Sequence, residues 1–258
     1  MPETILIPFL TAVASFVLML LGCMAAAHLR RVLPDHHFSE DARDIVRLGA
    51  ALLATISALV LSLLISSASN SYEAQRREIR EISANLVLLD VLLAEFGPET
   101  RPIRRSEREA VETLVNNIWR KVPATLDLDR GFMPAAITHR LHEAIRGLMP
   151  VTDIQREIRT QANQIALDSA RARYMLYEGA DARLPTPFVF IVIGWLTILF
   201  MSFCLFSNLN RIAVVALVLL AASAASALFL LLELSDPFGG LLRISDAPLR
   251  LALPPLNG

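Results

Sequence analysis

The chain has 258 residues, 54% hydrophobic and 19% charged, with a net charge of −1. That balance gives no general case for nucleic-acid binding. Its two cysteines, Cys23 and Cys204, lie in apolar stretches with no Cys or His at ligand spacing, so they imply neither a disulfide framework nor a zinc site.

A mean hydropathy of +0.51 conceals a partition into four apolar segments and one polar block. The sequence therefore describes an integral membrane protein. Residues 5–27 carry no charge and are long enough to cross a bilayer, which takes about 20 apolar residues. Met1-Pro2-Glu3-Thr4 has an acid where a secretory signal needs a positive region, so an uncleaved anchor is expected. Leu20-Leu21-Gly22-Cys23 resembles a lipoprotein cleavage box, but the same missing region argues against it. Residues 28–44 connect to the next span. Pro34-Asp35 is a turn signal, and Ser39 is a candidate N-cap with Glu40 and Asp41 behind it, where the helix dipole favours acids. His36-His37 would point to different sides of the chain with no further ligand near, so an interfacial loop is expected.

Residues 45–96 organise the rest. From 48 to 69 there is no charge, and no Gly or Pro falls between Gly49 and Gly97. One rod is expected to cross the membrane and run well beyond it. Thr55, Ser62, Ser66 and Ser69 share one helix face, which Glu73, Arg76 and Arg80 continue outside the bilayer. Such hydroxyls either glue helices together or wall a water-filled path.

The polar block, residues 71–183, reads as helical. Ile79, Ile82, Leu86, Leu89 and Leu93 form an apolar seam at three- and four-residue spacing. That seam is expected either to join copies of the chain or to pack on a returning helix of its own chain. Gly97-Pro98 stops the rod. Ser106-x-x-Glu109 is a capping-box pattern expected to open a helix through Trp119. Breaks follow at Val122-Pro123 and Gly131 to Pro134, then helices over 135–148 and 152–177, the second returning antiparallel to the rod. His139 and His142 beside Glu143 read as solvated surface rather than a metal site. No nucleophile-base pair, phosphate loop or paired-Cys motif is present, so catalysis has no sequence support.

Residues 188–206 and 212–232 are the third and fourth spans, joined by so short a turn that they must be antiparallel neighbours. The run Ala221-Ala222-Ser223-Ala224-Ala225-Ser226-Ala227 allows close helix approach in lipid. Glu233 at the membrane edge is costly unless paired or wet, which makes it a functional candidate. Asp236-Pro237-Phe238-Gly239-Gly240 is a turn. The rest of the tail is too short and polar to span, and is expected at the interface or as a short helix docked on the bundle.

Several stretches resemble the bacterial bestrophin-like domain family of unknown function. They are Pro34-Asp35-His36-His37-Phe38-Ser39-Glu40-Asp41, Ala54-Thr55-Ile56-Ser57-Ala58-Leu59-Val60-Leu61, and Ala84-Asn85-Leu86-Val87-Leu88-Leu89-Asp90. Trp195-Leu196, Leu232-Glu233-Leu234-x-Asp236-Pro237-Phe238-x-Gly240 and Ile244-Ser245-x-x-Pro248-Leu249-Arg250 complete the set. Ser207-Asn208 departs from the Pro-x-Asn that the family favours. The resemblance implies kinship with bestrophins, pentameric anion channels with four spans and a cytosolic helical region between spans two and three. The bestrophin pore signature of aromatic and Pro residues is not evident in span two, so function carried at this level is analogy.

The expected fold is all-α: spans one and two in 1–69, a helical extramembrane domain in 70–184, spans three and four in 185–235, and an interfacial tail in 236–258. The expected protein is a homo-oligomer in the lipid bilayer of the bacterial inner membrane, not an enzyme, with no cofactor and no metal. Its candidate cargo is inorganic ions, anions by analogy, passing Thr55, Ser62, Ser66, Ser69, Glu73, Arg76, Arg80 and Glu233. The alternative is a structural or signalling membrane protein whose insert binds a partner. Basic residues near the ends of spans are more numerous around the insert and tail than around the short loops, which places the insert and both termini in the cytoplasm. The uncharged N-terminus before Arg30-Arg31 argues the other way.

Overall fold

The computed structural model describes residues 2–32, 40–119, 134–181, 186–206 and 210–252. These residues form helices α1 (Pro2–Val32), α2 (Glu40–Phe96), α3 (Arg101–Trp119), α4 (Pro134–Arg146), α5 (Asp153–Asp181), α6 (Thr186–Phe206), α7 (Arg211–Leu234) and α8 (Ala247–Leu251), with a 3-10 turn at Pro98–Thr100. Four are long and apolar enough to cross a membrane, over Leu6–Val32, within Arg43–Phe96, Pro187–Phe206 and Arg211–Leu234. The all-α expectation holds. The expected rod is one helix of 57 residues, about 85 Å long at 1.5 Å per residue. His36, His37, Ser39, Val122, Pro123, Ser207 and Asn208 lie outside the described residues.

The chain forms two compact units, one of Met1–Asn70 with Arg183–Leu242, the other of Ser71–Ala182 with Arg243–Gly258. In the first, α1 packs on α6 and α7. Met19, Phe200, Ala221 and Ala225 make one buried cluster. Leu64 and Ala68 of α2 meet Val189, Val192, Ile193, Leu228 and Leu231 in a second. Small residues matter here because lipid tails are as apolar as leucine, so close packing replaces the hydrophobic drive. Asn210 caps α7, its Oδ1 accepting the Ala213 N–H at 2.8 Å.

In the second unit α5 returns antiparallel to α2. Gln155 Nε2 donates to the Phe96 carbonyl at 2.9 Å at one end, while Arg171 faces Glu78 at the other. Leu89, Leu93 and Phe96 share a core with Ile103, Leu141, Ile145, Leu148, Ile158, Ala162 and Ala166. Each large side chain so buried contributes roughly 1.5–3 kcal/mol. Gly97 ends the rod with φ of 144°, a conformation that L side chains rarely adopt.

Two local expectations are corrected. Helix α3 opens at Arg101, so Ser106 lies inside it and forms no capping box. The 3-10 turn feeds straight into the helix, and the buried Thr100 hydroxyl bonds back to carbonyls of Gly97 and Leu93. The tail from Arg243 belongs to the insert unit rather than to the spans. There α8 packs on α3, and the Trp119 indole N–H donates to the Ile244 carbonyl at 2.7 Å.

Candidate functional site

The polar stripe of α2 faces away from the chain's own cores. Thr55, Ser62 and Ser66 are exposed and Ser69 is half-buried. Ser57, Leu64 and Ala68 are buried. Each lies two residues beyond a stripe member, hence about 200° around the helix. Glu73, Arg76 and Arg80 continue the stripe as exposed charges. Arg76 pairs with Glu73 at 3.3 Å, and the Thr55 hydroxyl donates to the Ala51 carbonyl at 2.9 Å. Span two is also the span least covered by its own chain. Of its most apolar 18-residue stretch 11% is buried, against 33% for spans one and three and 22% for span four.

The seam occupies the opposite face. Ile79, Ile82, Leu89 and Leu93 are at most 1% exposed, and Leu86 is 6% exposed. Leu89 and Leu93 meet Ile158, Ala162 and Ala166 of the returning helix. The expectation that this seam joins copies is therefore corrected: its side chains are enclosed by their own chain, and no surface on them is left for a partner. The reading by residue spacing missed the row that is exposed, Val87, Leu88 and Val91 at 47–56%. The signal was there, since α2 is apolar on two faces beyond Arg80.

Glu233 does not stand on an open wall. It is 1% exposed. Its Oε2 accepts the backbone N–H of Leu241 at 2.6 Å and of Leu242 at 3.4 Å. Gly240, with φ of 67°, folds over it, and a Cβ there would sit 2.3 Å from Oε2. The apolar end of α7 and the tight turn behind it bring backbone donors to the carboxylate, which anchors the turn that the sequence signalled.

Charge pairs hold the insert together. Arg104 binds Asp90 in a two-pronged pair at 2.6 and 2.8 Å, which raises the guanidinium pKa. Arg173 and Glu107 form a second pair with side chains 7% and 8% exposed. Glu78 has its carboxyl pKa raised, first by burial and then by Glu81, with Arg77 and Arg171 opposing. His139 pairs with Glu143 at 3.3 Å on exposed surface.

Four spans with a long helical insertion after the second define a class of polytopic helical membrane protein. The chain belongs to the Bestrophin-like domain family, whose sequence profile matches residues 16–249. A bacterial bestrophin homolog from Klebsiella pneumoniae has the same fold, with a TM-score of 0.67, 16% identity and 95% of each chain covered. One mutant form of that homolog aligns with a TM-score of 0.66 at 18% identity, over 94% of this chain and 92% of that one. A second aligns at 0.66 and 16% identity, over 95% and 96%. At such identities the likeness shows the fold. No curated protein matches the chain by sequence.

Proposed function

We propose that this protein assembles into a homo-oligomeric ring in which the outward face of α2 lines a path for inorganic ions, with anions as the cargo by analogy with bestrophins. The observation that carries the reading is the placement of Thr55, Ser62 and Ser66 on the uncovered face of the least covered span. One copy has too few helices to close a path around them, whereas repeating one heterologous contact closes a ring. The exposed cations Arg76 and Arg80 at the membrane end of the same face would draw anions towards it. Glu233 serves here as a turn anchor, outside the path. The insert and both termini are placed in the cytoplasm of a bacterial inner membrane, which a C-terminal reporter fluorescent only in the cytoplasm tests: darkness at normal expression reverses the sidedness.

Ion flux into liposomes containing the purified protein, measured across several salts, tests transport. Flux that follows anion identity supports the path. Flux equal to that of empty liposomes in every salt removes it. A second reading, a structural or signalling protein that docks a partner on its insert, draws on the exposed row Val87, Leu88 and Val91. Light scattering coupled to size exclusion separates the two, because a protein monomeric in mild detergent and in nanodiscs has no ring to conduct through.

A further inference from the structure

Span four ends in a turn that folds back on it. Helix α7 stops at Leu234, where the Ser235 N–H donates to the Leu232 carbonyl at 3.2 Å. The Gly239 N–H then reaches the Asp236 carbonyl at 3.2 Å, and Gly240, with φ of 67°, reverses the chain. The reversal brings the Leu241 N–H to 2.6 Å from Glu233 Oε2. An extended chain from Glu233 would have carried Leu241 up to roughly 26 Å away. Instead Leu241 and Leu242 return to within a side chain's length of the last turn of the span. Their backbones face the carboxylate and their side chains do not enter the turn. Leu241 is 65% exposed and Leu242 is 42% exposed, whereas Pro237 and Gly239 of the same turn are buried.

We infer that Leu241 and Leu242 form a wedge that enters the bilayer at the boundary between acyl chains and headgroups, held at that depth by Glu233. Continuity with the lipid-facing surface of α7 favours this occupant. Leu219 and Leu230 stand three turns apart on one face of α7, both exposed, within the helix that is long and apolar enough to cross a membrane. The turn adds two more leucines at the end of that helix. Arg243 follows them in sequence and is exposed. Apolar side chains next to an arginine suit the interfacial layer, where hydrocarbon takes the leucines and phosphates take the guanidinium. In water the same leucines would order solvent with no gain. The role assigned to Glu233 is to fix depth: its buried carboxylate satisfies the N–H groups of Leu241 and Leu242, which a turn at the membrane edge would otherwise leave unpaired. This reading is independent of the ion path.

The test places a nitroxide label at Leu241→Cys or Leu242→Cys in the full chain carrying Cys23→Ser and Cys204→Ala. The protein is reconstituted in vesicles of phosphatidylethanolamine and phosphatidylglycerol. Power saturation then compares access of oxygen, which concentrates in hydrocarbon, with access of a nickel chelate, which stays in water. Labels at Leu219→Cys and at the exposed Glu109→Cys supply the lipid and water references and report that span and insert are in place. Oxygen access several-fold above nickel access at 241 and 242, at a depth shallower than 219, is the expected result. Nickel access above oxygen access overturns the wedge, because the pair would lie in water. Low access of both reagents also overturns it, because the pair would then be covered by protein, as in a contact between copies. Glu233→Leu removes the acceptor, and Gly240→Ala puts a Cβ 2.3 Å from Oε2, so the two reach the clamp from opposite sides. Each should raise nickel access at 241 and leave 219 unchanged. If neither changes access at 241, Glu233 does not set the depth.

Discussion

Removing Glu107 should unsettle the insert more than removing any exposed charge. Arg173 and Glu107 are both almost fully buried, and Arg173 Nε finds no acceptor among the described residues. Glu107→Gln would leave a guanidinium in a dry site without its counter-charge. Breaking a buried pair from one side costs about 3–5 kcal/mol. For a domain of this size that is a fall in midpoint of roughly 10–20 °C. The paired change Glu107→Leu with Arg173→Met removes both charges and keeps the volume, and such replacements are neutral or stabilising by about 1–4 kcal/mol. Trp119 reports on this unit, and the chain's other tryptophan, Trp195, is replaced by Phe in the background used for measurement. Thermal unfolding followed by Trp119 fluorescence should rank the double variant at or above the parent and Glu107→Gln far below it. A loss under about 1 kcal/mol in the single variant, or a double variant no better than the single, would refute the argument from desolvation.

Other outcomes follow from the same packing. Ile82→Asp with Leu86→Asp places two carboxylates in an enclosed core, so it should open the insert to limited proteolysis rather than yield a folded monomer. Val87→Asp with Val91→Asp acts on the exposed row instead. It should leave the proteolysis pattern unchanged and lower the mass by light scattering if copies meet there. Glu78 has a folded pKa above its unfolded value. Its protonated form therefore favours folding below the unfolded pKa of about 4.3, and that contribution is lost as pH rises through the folded pKa. Glu78→Gln should match the parent in acid and exceed it in stability near pH 7, by chemical unfolding at the two pH values. Arg80→Glu reverses the charge at the head of the stripe and should reduce anion flux several-fold in liposomes while cation flux rises, a comparison readable in paired salts.

Fold was legible where one signal dominated. Uncharged stretches of bilayer length marked the four spans, and the absence of Gly and Pro over 50–96 marked the rod as continuous. Periodicity found the faces of α2 but not their occupants. Leu89 and Leu93 look alike whether they meet a second chain or Ile158 and Ala162, because spacing reports burial without naming the partner. The helix start at Arg101 was missed because Ser106-x-x-Glu109 satisfies a local pattern, while the 3-10 turn that overrides it is organised by Thr100 seven residues after its acceptor Leu93. Glu233 was visible as a costly charge. Its donors, the backbone of Leu241 and Leu242, carry no side-chain signature.

The two faces of α2 constrain each other. Within the bilayer the inward face ends on Leu64 and Ala68, already covered by Val192 and Leu228. The hydroxyls therefore cannot serve as glue inside one chain, and a glue role needs a helix from another copy. A hydroxyl facing lipid is tolerable when it bonds back to its own helix, as Thr55 does to Ala51. Arg76, paired with Glu73 on exposed surface, and Arg80 carry full charges, so they mark where the same face must meet water or a partner. Beyond them the face turns apolar at Val87 and Val91, where exposure to water is unfavourable by about 25 cal/mol per Å². One helix face thus asks for three environments in succession, and the proposed ring of copies would supply all of them: a shared lumen at the hydroxyls, a wet mouth at the arginines and a closed contact at the valines.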